Sequence, residues 1–337
     1  MIQPDANVLV IIVARIGDTL LATPALRALK GAIPRGQLTV LAHPKRVEVL
    51  EHLPFIDVLE GITKISVQVK GWIGKKPHDF ALVYGRDEAL VRYALRASDR
   101  VIAFRQRDPV LNARLAHLVE EPSVPQHAVL HRLSLLTPLG LTASDLRLAY
   151  CVTAEECAWA RRWLAAQVPA GRPLVGLQIA SFPTKAHRDW PVASFQELIG
   201  RIAGAHAHAR FLLLGDAAAA KKAAALLCAY PQQVALAAGR VRLRQSAALM
   251  SELDLYVGVD TGPTHIAGAL ALPMVALYHS AYPGRNLVPL QHPACIMIEH
   301  PLTGASASIT AAMGDIPVEK VSAAALGLLR QGRRGEI

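Results

Sequence analysis

The nonapeptide Val257-Gly258-Val259-Asp260-Thr261-Gly262-Pro263-Thr264-His265 joins the end of an apolar run to the start of a helical pattern. The residues before Asp260 are typical of a short buried strand, and Pro263 suits the first turn of a helix, where its missing N–H costs no hydrogen bond. Thr261 is placed to cap that helix with its hydroxyl. A strand that ends on a helix N-terminus presents free N–H groups beside the positive end of the helix dipole, so this turn predicts an anion site.

Phosphate is the expected occupant of this turn, and Asp260 restricts how it binds. A carboxylate repels a diphosphate, so we expect Asp260 to face neutral hydroxyls, as on a sugar, or a cationic neighbour such as His265 or a lysine. Gly262 lets a ligand approach the backbone closely. An ordinary capped βα turn is the alternative explanation when the motif is considered alone.

A similar strand, turn and helix open the chain. The β-branched run 8–13 is typical of a strand buried on both faces of a parallel sheet, and a second strand is expected at 38–42. The turn after the first strand carries Arg15 and Asp18, which places Asp18 at the edge where open α/β sheets bind ligands. The alternative role for Asp18 is a partner of the helix dipole. The dinucleotide-binding pattern G-x-G-x-x-G is missing from this turn.

The second half of the chain starts a new series of strands and helices. After a Pro- and Gly-containing linker at 168–173, a strand is expected at 174–179, followed by a polar loop that carries Lys185 and Arg188. These two cations are expected at the same sheet edge as Asp260. We predict domains at 1–168 and 173–316, with a final helix within 317–337.

Composition predicts two compact domains and an acidic partner. Of 337 residues, 52% are hydrophobic and 18% are charged, and the formal net charge is +10. Between Lys64 and Arg107 the sequence has ten basic residues and four acidic ones. This stretch, which includes Arg86, Arg92 and Arg96, is either a binding surface for an anionic acceptor or lipid headgroups, or a solvated helix face. Aromatic residues make up only 5%, so nucleic acid is the least favoured partner.

Cysteine usage indicates a reducing compartment, and hydropathy predicts no membrane-spanning segment. The four cysteines have no metal or redox spacing and are expected to be small buried residues. The apolar run after Asn7 is cut short by Arg15 and Asp18, which predicts a strand rather than a signal peptide. No apolar stretch reaches 18 residues, so membrane contact is expected to be peripheral. The histidines are scattered, and no metal site is expected.

Four motifs in the right order resemble the ADP-heptose:lipopolysaccharide heptosyltransferases of glycosyltransferase family 9. They are A-R-I-G-D-T-L-L-A-T-P-A-L-R-A-L-K (14–30), T-K-A-H-R-D-W-P (184–191), L-L-L-G (212–215) and D-T-G-P-T-H-I-A-G-A-L (260–270). The resemblance spans nearly the whole chain. It implies an α/β GT-B fold, in which two Rossmann-like domains with parallel sheets face a central cleft, the N-terminal one binding the acceptor and the C-terminal one the nucleotide-sugar.

The resemblance also implies a metal-independent, inverting transfer of heptose from ADP-heptose to Kdo-lipid A or to a core heptose. Asp18 matches the family's proposed catalytic aspartate. The residues expected to bind the nucleotide-sugar are Thr184, Lys185, Arg188, Asp260, Thr261, Gly262 and His265, and those expected to bind the acidic glycolipid acceptor are Arg15, Arg86, Arg92 and Arg96. The enzyme is expected in the cytoplasm, in peripheral contact with the inner membrane. A final helix could pack back on the N-terminal domain.

Two positions depart from the family pattern. The family usually places a lysine two residues before the tryptophan of K-x-W-P, where this chain has Arg188, with Lys185 three residues earlier. Either Lys185 or Arg188 could contact the phosphate, but arginine and lysine are not equivalent, so the pattern leaves open which of the two is the main contact. Asp216 replaces a glutamate that helps hold the nucleoside in many members. The departure at Asp216 leaves the choice of nucleotide less certain than the reaction class. Two alternatives remain: a related enzyme that uses another nucleotide-sugar or a protein acceptor, and a nucleotide-sugar-binding module without catalysis.

Overall fold

A computed structural model describes residues 2–63, 65, 67 and 76–332 of the chain. It consists of two compact units, Met1–Cys151 and Val152–Ile337. Each unit contains one six-stranded sheet, and all the strand pairs in both sheets are parallel. The predicted α/β class with two Rossmann-like sheets is confirmed.

The first unit alternates strands with helices. Its strands are β1 (Val8–Ile12), β2 (Leu38–Ala42), β3 (Val58–Gly61), β4 (His78–Tyr84), β5 (Ser98–Phe104) and β6 (His117–Val119). Its α-helices among the described residues are α1 (Ile16–Leu20), α2 (Thr23–Ala32), α3 (Glu88–Ala97), α4 (Pro109–Asn112) and α5 (Ala128–Leu133). Two 3-10 helices, Pro44–Val49 and Ser134–Leu139, also lie in the described part of this unit.

The second unit repeats the pattern. Its strands are β7 (Leu174–Gln178), β8 (Arg210–Leu214), β9 (Val234–Leu236), β10 (Leu255–Val259), β11 (Met274–Tyr278) and β12 (Cys295–Glu299). Its α-helices are α6 (Ala154–Gln167), α7 (Val192–Ala205), α8 (Ala217–Ala229), α9 (Leu243–Met250), α10 (Gly262–Ala269) and α11 (Val318–Gln331). Three 3-10 helices lie at Pro183–Arg188, Gly284–Asn286 and Met313–Asp315.

The strand order is the same in both sheets. The first sheet runs β3-β2-β1-β4-β5-β6, and the second runs β12-β11-β10-β7-β8-β9. Counted from the first strand of its own unit, each sheet therefore has the order 3-2-1-4-5-6. In this doubly wound order the strand order reverses between strands 1 and 4. The loops that follow those two strands therefore diverge to opposite faces of the sheet and leave a crevice between them. The two crevices lie beyond the ends of β1 and β4, and of β7 and β10.

The sheets are buried on both faces, as their apolar runs predict. In β1, Val8, Val10 and Ile12 belong to one buried cluster, while Leu9 and Ile11 belong to another. Successive side chains of a strand point to opposite faces, so a continuous apolar run is required when helices cover both sides. The rigid centre of each sheet fixes where the following loops begin.

The boundary between the units differs from the linker in the sequence prediction. The units divide after Cys151, and α6 belongs to the second unit, although the predicted linker was at 168–173. A capping box begins α6: Glu156 N–H donates to Thr153 Oγ1 at 3.2 Å, and Thr153 N–H donates to Glu156 Oε2 at 2.9 Å. The same Glu156 is paired with Arg244 of α9 at 2.6 Å, which attaches α6 to the second unit.

The C-terminal helix α11 packs on the second unit. Val321, Ala325 and Leu328 of α11 join the buried cluster that includes β7 and β10. Trp190 is buried beside this region and donates its indole N–H to the Ile316 carbonyl at 3.1 Å, just before α11 begins. The return of this helix to the N-terminal domain stays a prediction.

None of the four cysteines forms a disulfide, and they are not the buried residues expected from the sequence. Cys228 is exposed, and Cys151, Cys157 and Cys295 are half-buried. Burial nevertheless raises the pKa of the Cys295 thiol to about 12. Among the described residues, no helix combines the length and apolar character needed to cross a membrane.

Candidate functional site

The segments that follow β7 and β10 form the crevice of the second unit. The two strands are neighbours in register, with Gln178 opposite Gly258. The loop after β7 contains the 3-10 helix Pro183–Arg188, and the turn after β10 begins at Asp260. The structure therefore brings the T-K-A-H-R-D-W-P and D-T-G-P motifs together, as predicted.

Asp260 has a cationic partner. Its side chain is only 6% exposed, and its Oδ2 accepts a hydrogen bond from Arg188 Nη1 at 2.9 Å. His265 Nε2 lies 3.7 Å from Asp260 Oδ1. Of the two alternatives expected for Asp260, the cationic neighbour is the one found. The cation is an arginine accompanied by His265, and not a lysine.

Tyr282 holds the Arg188 side chain. The guanidinium carbon lies 3.5 Å from the centroid of the Tyr282 ring, a close cation–π contact. Hydrogen bonding with Arg188 and the positive charges of Arg188 and Lys185 lower the pKa of the Tyr282 hydroxyl. The Lys185 ammonium is 5.9 Å from the same ring and has no ion-pair partner among the described residues. Sequence reasoning missed Tyr282, which follows β11 and belongs to neither motif.

The loop that carries both cations is closed on itself. Ser181 N–H donates to Asp189 Oδ1 at 2.6 Å, and Ser181 Oγ donates to the Lys185 carbonyl at 2.7 Å. Asp189 also pairs with Lys222 of α8. Thr184 is exposed on the 3-10 helix of this loop. These bonds fix the positions of Lys185 and Arg188 relative to the sheet edge.

Thr261 does not cap α10 in the way the sequence predicts. It occupies the N-cap position, but its side chain accepts no hydrogen bond from the helix, and its Oγ1 donates to the Val259 carbonyl at 3.3 Å. The hydroxyl turns back to the strand because that carbonyl is available as an acceptor. Among the described residues, no group accepts from the backbone N–H of Thr261 or of Gly262. The start of α10 therefore presents two free N–H donors.

The core beneath this turn is built around Tyr256. Its buried hydroxyl lies 2.9 Å from Thr264 Oγ1, and Thr264 in turn bonds the Val259 carbonyl. A Cβ at Gly258 would lie 2.5 Å from the Tyr256 hydroxyl oxygen, so glycine is required there. Burial raises the pKa of the Tyr256 hydroxyl. His265 is buried on α10, and its Nδ1 has no partner among the described residues.

Asp18 lies in the crevice of the first unit. It is in the first turn of α1, directly after β1, and β1 pairs with β4 so that Ile12 is opposite Tyr84. A cleft of about 330 Å³ opens here, and its lining includes Arg15, Asp18, Tyr84, Glu121, His131 and Arg132. The sequence prediction that Asp18 and Arg15 lie at this sheet edge agrees with this location.

Asp18 is paired with an arginine that sequence reasoning missed. Arg132 Nη2 donates to Asp18 Oδ1 at 2.8 Å, and Arg132 Nη1 lies 3.2 Å from His131 Nδ1. His131 Nε2 is 2.8 Å from Glu121 Oε2, and Glu121 also pairs with Arg86 at 2.8 Å. Only the apolar spacing of α5 could be read from the sequence, and no motif marked Arg132.

The predicted acceptor-binding arginines differ in their surroundings. Arg15 is exposed at the cleft, and Arg86 is paired with Glu121 at its margin. Arg92 is paired with Asp108 at 2.7 Å, and Arg96 donates to the Val67 carbonyl at 2.9 Å. Arg92 and Arg96 are not in the lining of the cleft. Of the other basic residues in this stretch, Lys64, Lys70 and Lys75 lie outside the described residues.

The described part of the chain offers no group of three metal-ligating side chains of the His, Cys, Asp or Glu type. Asp216 at the end of β8 caps α8, accepting from Ala218 N–H at 2.9 Å and from Ala219 N–H at 3.1 Å. The aspartate that replaces the family's glutamate therefore has a structural role in α8.

Two units of Rossmann topology, each with a charged crevice at its switch point, have the architecture of the GT-B fold. The comparisons with known proteins give the family. The model for glycosyltransferase family 9 (heptosyltransferase) matches residues 89–313, and the chain belongs to this family.

Relatives of known sequence and structure agree with this assignment. The chain is 26% identical to lipopolysaccharide heptosyltransferase 3 of Escherichia coli in an alignment of 284 residues, which covers 78% of this chain and 80% of that protein. A crystal structure of a family 9 glycosyltransferase from Veillonella parvula matches with a TM-score of 0.79, at 20% identity, over 98% of this chain and 99% of that one. The ADP-heptose lipopolysaccharide heptosyltransferase II of E. coli matches with a TM-score of 0.76, at 20% identity, over 96% and 99%.

Proposed function

We propose that this glycosyltransferase moves heptose from ADP-heptose to the lipopolysaccharide inner core, either to Kdo-lipid A or to a heptose already attached to it. The observation that carries the proposal is the crevice at Asp260, which contains a neutralised carboxylate, a lysine that has no ion-pair partner among the described residues, and an open helix N-terminus. The names of the relatives support the sugar and the pathway.

The donor diphosphate would bind at the start of α10. The N–H groups of Thr261 and Gly262 point away from the helix, and negative charge is stabilised at a helix N-terminus. Lys185, on the loop that follows the neighbouring strand β7, would supply a positive charge to the same diphosphate. Because Arg188 neutralises Asp260, that carboxylate does not repel the phosphates and is available to accept hydrogen bonds from sugar hydroxyls.

The chemical step needs a base and a stabilised leaving group. In an inverting transfer the acceptor hydroxyl oxygen forms a bond to the anomeric carbon as the bond from that carbon to the diphosphate breaks. Asp18 takes the hydroxyl proton, and its half-exposed position in the first-unit cleft leaves it accessible to an acceptor. Lys185, His265 and the two N–H groups stabilise the charge that develops on the diphosphate, and each preorganised donor is worth about 3 kcal/mol. No step of this scheme uses a metal ion.

The acceptor and the location follow from charge. An inner-core glycolipid bears phosphates and carboxylates, and the formal net charge of this chain is +10. Arg15 is the best candidate for an acceptor contact, because it is the one of the four predicted arginines that lines the cleft. Arg86 is paired with Glu121 of the lining, whereas Arg92 and Arg96 have protein partners elsewhere. Because the proposed acceptor carries a lipid, the proposed location of the enzyme is the cytoplasm, in peripheral contact with the inner membrane.

Binding of nucleotide-sugars tests the donor. Thermal unfolding is measured with ADP-heptose and with ADP-, GDP-, UDP- and dTDP-hexoses. A ligand at 100 times its Kd adds about 2.7 kcal/mol to the free energy of unfolding, so the correct donor raises Tm visibly. We expect ADP-heptose to give the largest shift. A larger shift with a GDP-, UDP- or dTDP-sugar would replace the donor assignment.

Turnover tests the role of Asp18. Asp18→Asn should lower kcat for heptose transfer to Kdo-lipid A by about 10² or more, because general base catalysis contributes about 10² to 10⁴. The Tm shift with ADP-heptose should remain, since Asp18 is not among the donor-binding residues. An enzyme that binds ADP-heptose and keeps its full kcat without this carboxylate would remove Asp18 as the base.

A further inference from the structure

The first-unit cleft contains a continuous chain of polar contacts that ends on Asp18. Glu121 Oε2 lies 2.8 Å from His131 Nε2, His131 Nδ1 lies 3.2 Å from Arg132 Nη1, and Arg132 Nη2 lies 2.8 Å from Asp18 Oδ1. The two central side chains, Arg132 and His131, are 18% and 21% exposed, whereas Glu121 and Asp18 at the two ends are 34% and 46% exposed. Of the four residues that make these contacts, only Asp18 belongs to a motif recognised in the sequence.

The contacts assign the tautomer of His131. An arginine nitrogen is always a donor, so Nδ1, which faces Arg132, must be the unprotonated acceptor. The ring proton is therefore on Nε2, where it donates to the Glu121 carboxylate. The His131 ring is also stacked on Phe104, with centroids 4.5 Å apart and planes 6° from parallel. Glu121 selects the tautomer, and Phe104 fixes the plane of the ring.

The orientation of His131 determines the orientation of Arg132. With one guanidinium nitrogen held by His131, the other is directed at a single oxygen of Asp18. No group among the described residues donates to Asp18 Oδ2. That oxygen is the one available to an acceptor hydroxyl, and a general base works only when it is correctly aligned.

We propose that Glu121, His131 and Arg132 form a positioning chain that holds the Asp18 carboxylate with Oδ2 toward the acceptor hydroxyl. His131 and Glu121 act through Arg132 and touch no reacting atom, so they are positioning residues and not catalytic ones. This inference rests on the proposed role of Asp18 as the base. It adds the residues that make that base effective.

Two substitutions at His131 test the contact of Nδ1 with Arg132 and the contact of Nε2 with Glu121 separately. His131→Asn places an amide oxygen near the position of Nδ1, so Arg132 keeps an acceptor. His131→Gln extends toward Glu121 and leaves Arg132 Nη1 without one. Both variants lose the stacking on Phe104, which makes them matched. We expect His131→Gln to lower kcat about tenfold at an unchanged Kd for ADP-heptose, and His131→Asn to recover most of that loss.

A double substitution tests whether His131 acts through Asp18. If it does, Asp18→Asn combined with His131→Gln should have the same kcat as Asp18→Asn alone, since the base that the chain positions is already missing. The Tm of each variant and its Tm shift with ADP-heptose report whether the fold and the donor site are intact.

The outcomes distinguish the inference from the function on which it rests. If the losses of kcat from Asp18→Asn and His131→Gln multiplied in the double variant, or if His131→Gln and His131→Asn lowered kcat equally, the positioning chain would be overturned while Asp18 remained the base. Full kcat in Asp18→Asn would overturn the base and the chain together. A tenfold loss in His131→Gln that disappears in the Asp18→Asn background supports both.

Discussion

Arg188 and Asp260 form a buried ion pair at the switch point of the second sheet, with Arg188 Nη1 2.9 Å from Asp260 Oδ2. The two side chains are 16% and 6% exposed. Arg188 also lies against the Tyr282 ring, so its guanidinium is already engaged within the protein. Lys185 has no ion-pair partner among the residues that the structure describes. We therefore expect Lys185 to make the main diphosphate contact and Arg188 to neutralise Asp260.

Substitution of the two cations should have different effects. Lys185→Ala should raise the Kd for ADP-heptose about tenfold, because a hydrogen bond to a charged group is worth about 1.5–3 kcal/mol, and should leave the stability of the apo-protein unchanged. Arg188→Ala should lower the free energy of unfolding by about 3 kcal/mol, because it leaves a buried carboxylate without its partner. Calorimetry with ADP-heptose and urea unfolding measure the two effects.

Two further variants serve as controls for this comparison. Lys221→Ala removes an exposed lysine of α8 and should change neither quantity. Adding Asp260→Ala to Arg188→Ala removes the unpaired charge and should restore part of the stability. If Arg188→Ala abolished donor binding at unchanged stability, the roles of the two cations would be reversed.

The position of both crevices could be predicted from the sequence. The apolar runs of β1 and β10 marked buried parallel strands, and the residues just after them, Asp18 and Asp260, had to lie at the carboxyl edge of a sheet. Local pattern was sufficient because a ligand edge is defined by the strand end itself. The capping box at Thr153 was predictable for the same reason: all its atoms lie within four residues.

The partners of those two aspartates could not be predicted. Arg132 is 114 residues from Asp18, and Arg188 is 72 residues from Asp260. Periodicity gives the face of a helix on which a side chain lies, but not which distant element packs against that face. The prediction that Thr261 caps α10 was wrong for a different reason. Its residue type suits an N-cap, yet the Val259 carbonyl competed for its hydroxyl.

His292 should make the stability of the protein depend on pH. Burial lowers its pKa to about 4, and its Nε2 has no partner among the described residues, while its Nδ1 accepts from Ala294 N–H at 3.0 Å. An unfolded chain binds this proton below about pH 6.5. Between pH 6.5 and 4 the unfolded state therefore holds more protons than the folded state, and the free energy of unfolding falls as the pH is lowered.

Replacement of His292 by asparagine should remove that dependence. His292→Asn keeps an acceptor for Ala294 N–H but does not titrate. The variant should match the parent protein at pH 8 and be more stable by about 1–2 kcal/mol at pH 5, as measured by urea unfolding. Because all other titrating groups are common to both proteins, the difference between the two curves isolates this residue. A constant difference from pH 8 to pH 5 would contradict the prediction.

Charge reversal at the first-unit cleft should identify the acceptor surface. Arg15 is exposed at the cleft beside Asp18, whereas Arg92 is paired with Asp108 at 2.7 Å. Arg15→Glu should raise KM for Kdo-lipid A at least about fivefold, since one charged contact to an anionic group is worth about 1.5–3 kcal/mol. Arg92→Glu should raise it less than Arg15→Glu does. Initial rates at varied acceptor concentration and saturating ADP-heptose measure both.

The control for these variants is Arg114→Glu, which reverses an exposed charge just before β6 begins, at the opposite edge of the sheet from Asp18. It changes the net charge of the protein by the same amount and should leave KM for the acceptor and for ADP-heptose unchanged. Because net charge alters long-range attraction equally in all three variants, only a local contact gives Arg15 a larger effect. Equal KM values for the Arg15 and Arg114 variants would mean that the arginine beside Asp18 does not contact the acceptor.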